Sequence, residues 1–291
     1  MRSSDGDQAR VAARDAVPAA AEISLLPGAA RVSRAHRDAG AQLDNLCGPY
    51  CVWIALSAAG VPTTQDDVAV AAGTLLPIGG DPAAFVPPGE SNRDRYTRQI
   101  RRTADLAASG TSARGLVAAT RDVSGGSFAA VPIRGRGGGP LGEADVCALI
   151  AIVESNPSWE AVPIVNLRTG KLWGTSVGID AAAAFVSGEP VEPPPPEWDV
   201  GHFVSVAGAV RGSAGTALIV RDTYPTLGSR GVHVQPAGAV ADAIRRDDGR
   251  DGGCLLFVSA DDAASVERVA KDAGFDIDVW DNGTPYEGGT P

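Results

Sequence analysis

The first strong hydrophobic pattern along the chain is CGPYCVWIALSAA at 47–59, where Cys51, Ile54, Ala55 and Ala58 recur at helical spacing. Pro49 is tolerated in a first helical turn, and Gly60 and Pro62 stop the helix. A second helix is expected over 64–72, with Thr64 as its cap and Asp67 three residues on. Upstream, residues 1–40 read as a polar lead-in with a short helix over 29–38. Residues 77–95 are rich in Pro, Gly and charge and read as an excursion loop. The spacing then predicts helices over 95–108 and 112–122, the second with Leu116, Val117 and Thr120 inward. RGRGGGP at 134–140 reads as a flexible turn. A helix over 143–154 follows, buried along Val146, Leu149, Ile150 and Val153.

Beyond residue 160 the period changes. VPIVNL (162–167), HFVSVAGA (202–209), ALIVR (217–221) and CLLFVS (254–259) are short apolar runs rich in β-branched residues, which predicts strands. A further short strand fits 232–235. The proline-rich stretch 190–196 is expected to be extended and exposed. A last helix at 261–273 precedes the strand-like FDIDVW and a Gly/Pro-rich tail that reads as loose. Helices followed by a run of strands indicate an α+β fold. The expected organisation is a lead-in at 1–40, one domain at 41–260 with insertions at 77–110 and 187–199, and a helix and tail at 261–291.

Composition narrows the function classes. Hydrophobic residues make up 44% and charged residues 21%, ordinary proportions for a globular chain. A net charge of −10 argues against a nucleic-acid or anionic-membrane partner. No apolar run approaches the roughly 20 residues of a membrane span. The N-terminus lacks the unbroken apolar stretch of a secretory signal, so a cytoplasmic location is expected. Cys47, Cys51, Cys147 and Cys254 are irregularly spaced, which fits reduced thiols better than a disulfide framework. No second cysteine pair stands at ligand spacing and only three histidines are present, so neither a metal nor a cofactor is implied. RGRGGG lacks the Gly-Lys-Ser/Thr of a phosphate loop. The basic run RDRYTRQIRR (93–102) reads as a solvated helix face able to receive an acidic peptide.

Thiol-based acyl transfer needs a thiolate at positive potential, a base beside it and donors for the oxyanion. Cys47 opens a helix, where free backbone amides and the dipole favour the thiolate. Gly48 permits close approach of backbone or substrate, and Gln42 offers an amide to the oxyanion. Of the three histidines, His36 falls in the polar lead-in and His233 beside a Gly-rich turn. His202 opens a strand with Val204 and Val206 on its face, which makes it the best-held base. The next turn is RGSAG, 211–215. Pairing centred on Gly212 sets Asp222 opposite His202, and pairing centred on Ser213 makes them diagonal neighbours on the same face. A register one residue out would separate them. Trp198 lies close enough in sequence to His202 to wall a cleft.

These residues carry a family resemblance. QLDNLCGPYC (42–51) resembles the active-site motif of bacterial double-glycine-leader, bacteriocin-processing cysteine peptidases, members of the papain-like superfamily. Gln42, Cys47, Gly48 and Cys51 match that motif; GHFVSVAG and VRDTYP resemble its later ones at His202 and Asp222. The chain departs from it at Leu46, where the family often has Asp, and at Pro225, displaced from the family's Asp-Pro pair. The resemblance implies a papain-like fold and a Cys47–His202–Asp222 site assisted by Gln42. It also implies a peptide or protein substrate and peptide or amide hydrolysis, leader removal included. The same nucleophile and base would serve an acyltransferase or cyclase, and a non-catalytic peptide-binding domain is the third reading.

Overall fold

The computed structural model describes residues 21–81, 85–176 and 178–286. The parts of the polar lead-in at 1–20 and of the loose tail at 287–291 lie outside the described residues. Among those described, eight strands form one sheet, with neighbours antiparallel. They are β1 (Glu22–Leu25), β4 (Phe128–Arg136), β5 (Val162–Arg168), β6 (Gly201–Arg211), β7 (Thr216–Arg221), β8 (Val232–Pro236), β9 (Gly253–Ser259) and β10 (Phe275–Asp276). A separate parallel pair joins β2 (Leu75–Pro77) to β3 (Arg101–Thr103). The order across the large sheet is β10-β4-β9-β5-β6-β7-β8, and β1 pairs with β6 where β5 ends.

Helices cover both faces. On one lie α1 (Ala29–Ala39), α2 (Cys47–Ala58), α3 (Gln65–Ala71) and α4 (Ala113–Val123), around a core containing Val32, Ile54, Leu116, Phe203 and Trp280. On the other lie α5 (Glu143–Ser155), α6 (Ile179–Val186), α7 (Ala237–Arg245) and α8 (Ala260–Asp272). Their apolar stripes, such as Val146, Leu149, Ile150 and Val153 of α5, pack on Val165, Val204 and Leu256. The α+β class stands, built as two helical layers about one antiparallel sheet. Helix α2 is apolar on nearly every side and is buried from Gly48 to Leu56 except at the half-buried Trp53, as expected of a helix enclosed between a sheet and its neighbours.

Four sequence expectations change. The helix expected over 95–108 is instead loop, β3 and a short 3-10 turn at Leu106–Ala108. Tyr96 and Ile100, spaced as on a helix, do turn inward, against Leu46, Ala69 and Leu76. The backbone there is claimed by side chains, however: Thr97 N–H donates to Asp66 at 2.6 Å. Strand β4 is not among the expected elements, and its last residues, 134–136, take the start of the turn expected over 134–140; Pro132 is tolerated where β4 faces only β9, since β10 pairs further on at Arg134 and Arg136. The described part of the lead-in, residues 21–40, is joined to the rest, with β1 in the sheet and α1 against α2. The tail is packed as far as Thr284: Trp280 is buried and donates through Nε1 to Asn166 at 3.0 Å, and Asn282 donates to the Thr111 carbonyl at 2.9 Å. Among the described residues no helix is long and apolar enough to cross a membrane.

Candidate active site

Cys47 is the first residue of α2, preceded by the loop 42–46. That loop is braced by the excursion: Asp44 N–H donates to the Arg93 carbonyl and Arg93 N–H to the Asp44 carboxylate, both at 3.0 Å. The Tyr96 hydroxyl donates to the Asp44 carbonyl, also at 3.0 Å. Asn45 adopts φ 61°, a left-handed conformation that Asn tolerates, and turns the chain into the helix. Gly48 has a different task from the one its position suggests. A Cβ there would stand 2.9 Å from Leu116 Cδ1 and 3.2 Å from Phe203 Cδ2. Its missing side chain lets the start of α2 settle on β6 beside His202. Cys51, one turn on, is fully buried with its thiol aimed at the Phe203 carbonyl, 3.6 Å away. All four cysteines are free thiols, and Cys47 is partly exposed.

The strand register that joins His202 to Asp222 depends on a bulge. Next to the turn, Arg211 pairs with Thr216 and Val210 with Ala217, the register that would put the two residues on opposite faces. Between Val206 and Gly208 the pairing slips by one, so that Val206 faces Val220 and Ser205 faces Arg221. Ala207 is the extra residue, and its carbonyl accepts from Leu26 N–H at 2.9 Å as β1 arrives. Gly208 makes room for β1, since a Cβ there would collide with the Ser24 carbonyl. Beyond the bulge His202 and Asp222 are diagonal neighbours.

His202 Nε2 donates to Asp222 Oδ1 at 3.1 Å, and both side chains are almost wholly buried. Nδ1 is thereby the ring nitrogen left for Cys47, which lines the same cleft and interacts electrostatically with the ring. Burial opposes an imidazolium at His202, but the Asp222 carboxylate, with a smaller contribution from Cys47, outweighs it and pushes the pKa up to about 10. Burial would likewise raise Asp222. Instead His202, and then His233, hold it well below the usual carboxylate range. Trp198 stands edge-on to His202 with centroids 5.3 Å apart, and Tyr224 stacks on it at 6.1 Å.

Gln42 is tied into the same group. Its Oε1 accepts from the Thr223 hydroxyl at 2.6 Å and its Nε2 donates to the Tyr224 hydroxyl at 2.9 Å. Its backbone N–H donates to the Thr223 carbonyl at 3.2 Å. Gln42, Cys47 and His202 line one cleft of about 180 Å³ together with Asn166, Trp198 and Arg246. The four residues singled out from the sequence therefore form one continuous group.

His233 belongs to this group as well, although its place beside a glycine-rich turn gave no reason to choose it. It pairs with Val220 across β7–β8 and lies on the face of Asp222. Gln235, held by both backbone groups of Trp173, donates to His233 Nδ1 at 3.0 Å, which leaves Nε2 to donate to Asp222 Oδ2 over 3.5 Å. Its signal in the sequence is the short strand expected over 232–235, which pairs with β7 and so brings His233 alongside Asp222. Thr223 and Tyr224 were also missed, and the Tyr224 N–H adds a third donor to Asp222 at 3.1 Å. Among the described residues no group of three or more His, Cys, Asp or Glu is placed to hold a metal ion.

One family model, described as "Family of unknown function (DUF6885)", matches residues 26–281. The chain belongs to the DUF6885 family. The matched span contains the cleft-lining Gln42, Cys47 and His202, Asp222 behind them, and the strands that position them. No curated protein matches the chain.

Proposed function

We propose that this DUF6885 protein is a papain-like cysteine-dependent hydrolase of peptide or amide bonds. The observation that carries the reading is the convergence of a helix-initiating thiol and an imidazole at one cleft, with a buried carboxylate bonded to the imidazole from behind. In this reading the Cys47 thiolate attacks the scissile carbonyl carbon, and the His202 imidazolium, oriented by Asp222, gives its proton to the departing amine. The resulting thioester is then hydrolysed by a water whose proton passes to His202, which releases the acid and restores the thiol–imidazole pair. The Cys47 N–H and the second N–H of Gln42 Nε2 would serve the oxyanion, with Thr223 and Tyr224 fixing the amide.

The test is incubation of the full chain with a defined mixture of unblocked and double-glycine-containing peptides, read by product mass. The reading expects cleavage by wild type and a loss of about a thousandfold or more in Cys47→Ala. Cleavage that survives this substitution would overturn it. Product masses that show an added amine in place of water would make the same machinery a transferase.

A further inference from the structure

A second cavity, of about 380 Å³, lies behind Asp222 and away from the thiol. Its wall carries Arg37, Arg221, Arg230 and His36, with Tyr50 and Asp222 beside them. The one carboxylate among these, Asp222, is already engaged by His202, His233 and the Tyr224 N–H. Arg221 is only 9% exposed, and its Nε is buried with no hydrogen-bond partner among the described residues. Burial disfavours its charge, and Arg37 adds repulsion, so its guanidinium is held below the ordinary arginine range.

His36, 4% exposed, is equally unserved at Nε2. The Tyr50 hydroxyl donates to the Gly40 carbonyl, so His36 Nδ1 must act as the donor to Tyr50 over 3.4 Å, and the ring is neutral. Burial, followed by the Arg221 charge, pushes its pKa down to about 3. Arg230, in the turn before β8, holds φ 53°, and Arg37 makes only a loose 3.9 Å contact with Asp38. Positive charge is thus concentrated around a cavity of ligand size, with one guanidinium taken out of water and opposed by a single carboxylate, Asp222, that His202 and His233 already hold.

We propose that this cavity binds a phosphate group, held by Arg221 from within and by Arg37 and Arg230 at the mouth. Three guanidinium forks offer more donors than a single carboxylate can accept, whereas a phosphate presents several strong acceptor oxygens. The volume exceeds that of the phosphate alone, which leaves room for the body of a small phosphomonoester.

The experiment is thermal shift and isothermal calorimetry on the full chain, titrated with inorganic phosphate, glycerol phosphate, acetate or chloride at matched ionic strength. Saturable binding and a rise in Tm are expected for phosphate or glycerol phosphate and not for acetate or chloride. The tighter of the two phosphates identifies whether free phosphate or an ester is preferred. Arg230→Ala, at an exposed turn, should weaken binding by about tenfold or more, and Arg221→Met should abolish it. Cys47→Ala should bind as wild type, which separates this site from the proposed chemistry. Equal shifts with acetate or chloride, or titrations unchanged in both arginine variants, would overturn the proposal.

Discussion

Two cavities sit on either side of the Asp222 carboxylate, and they treat charge in opposite ways. In the cleft, the groups around His202 are partnered, although Asn282 Oδ1 further along the lining is buried without a partner. Asp222 holds His202, His202 faces Cys47, and Gln42 is pinned by Thr223 and Tyr224. In the cavity behind, Arg221 and His36 each keep a buried nitrogen without one. A satisfied network is rigid and pre-organised for a task done by its own groups. An unsatisfied one is organised for something that arrives from outside. Asp222 is common to both, so it is the place to separate them.

Asp222→Asn should have the largest effect on stability. Removing one charge from a buried hydrogen-bonded pair is expected to cost about 3 kcal/mol, measurable by urea unfolding. The pH dependence has a definite sign. The raised pKa of His202 contributes stability that is full below about 6.5 and is lost as pH rises through about 10. The lowered pKa of Asp222 contributes above its ordinary value of 3.8 and is lost as pH falls below it. The gap between wild type and Asp222→Asn should therefore be widest between these limits, near pH 4–6.5, and shrink toward pH 10. A gap independent of pH would break the ionic account of the cleft.

Gly48→Ala should be next. The added methyl meets Leu116 and Phe203 and forces α2 away from β6, at about 1–3 kcal/mol. Thiol reactivity should fall with it, because the displaced residue neighbours Cys47. Unchanged reactivity would mean that the packing of Gly48 does not set the distance to His202.

The smallest effect sharpens the other side of the comparison. Arg221→Met in phosphate-free buffer should leave stability unchanged or raise it by about 1 kcal/mol, since a buried guanidinium with an unsatisfied Nε is replaced by an apolar chain of similar length. A marked loss of stability would show that Arg221 already has a structural partner.

The sequence was most informative where a single periodicity decided the matter. The stripe of α5, the capping box of Thr64 and Asp67, and the apolar runs of β5, β6, β7 and β9 could all be read directly. Strand β4 could not, because Pro132 is permitted only by the local absence of a partner on one side, which is a property of the sheet. The segment around Tyr96 and Ile100 has helical spacing but is drawn out by contacts with Asp66 and Asp44, residues about thirty to fifty positions away. For the candidate site, residue types and spacing were enough to single out Gln42, Cys47, His202 and Asp222. The bulge at Ala207 was invisible, although without it the turn-proximal register would separate His202 from Asp222. His233 was overlooked because its neighbours look like a turn, whereas its significance comes from pairing with Val220.

The central claim is that Cys47 is set apart from the other three cysteines by His202. Iodoacetamide labelling at neutral pH, mapped by mass spectrometry in wild type and His202→Ala, tests it most directly. Burial raises the pKa of Cys51, Cys147 and Cys254, which keeps those thiols protonated. The account predicts selective modification of Cys47 in wild type and at least about a tenfold slower reaction in His202→Ala. Equal labelling of the partly exposed Cys47 and Cys147, or a Cys47 rate that does not change when His202 is removed, would contradict it.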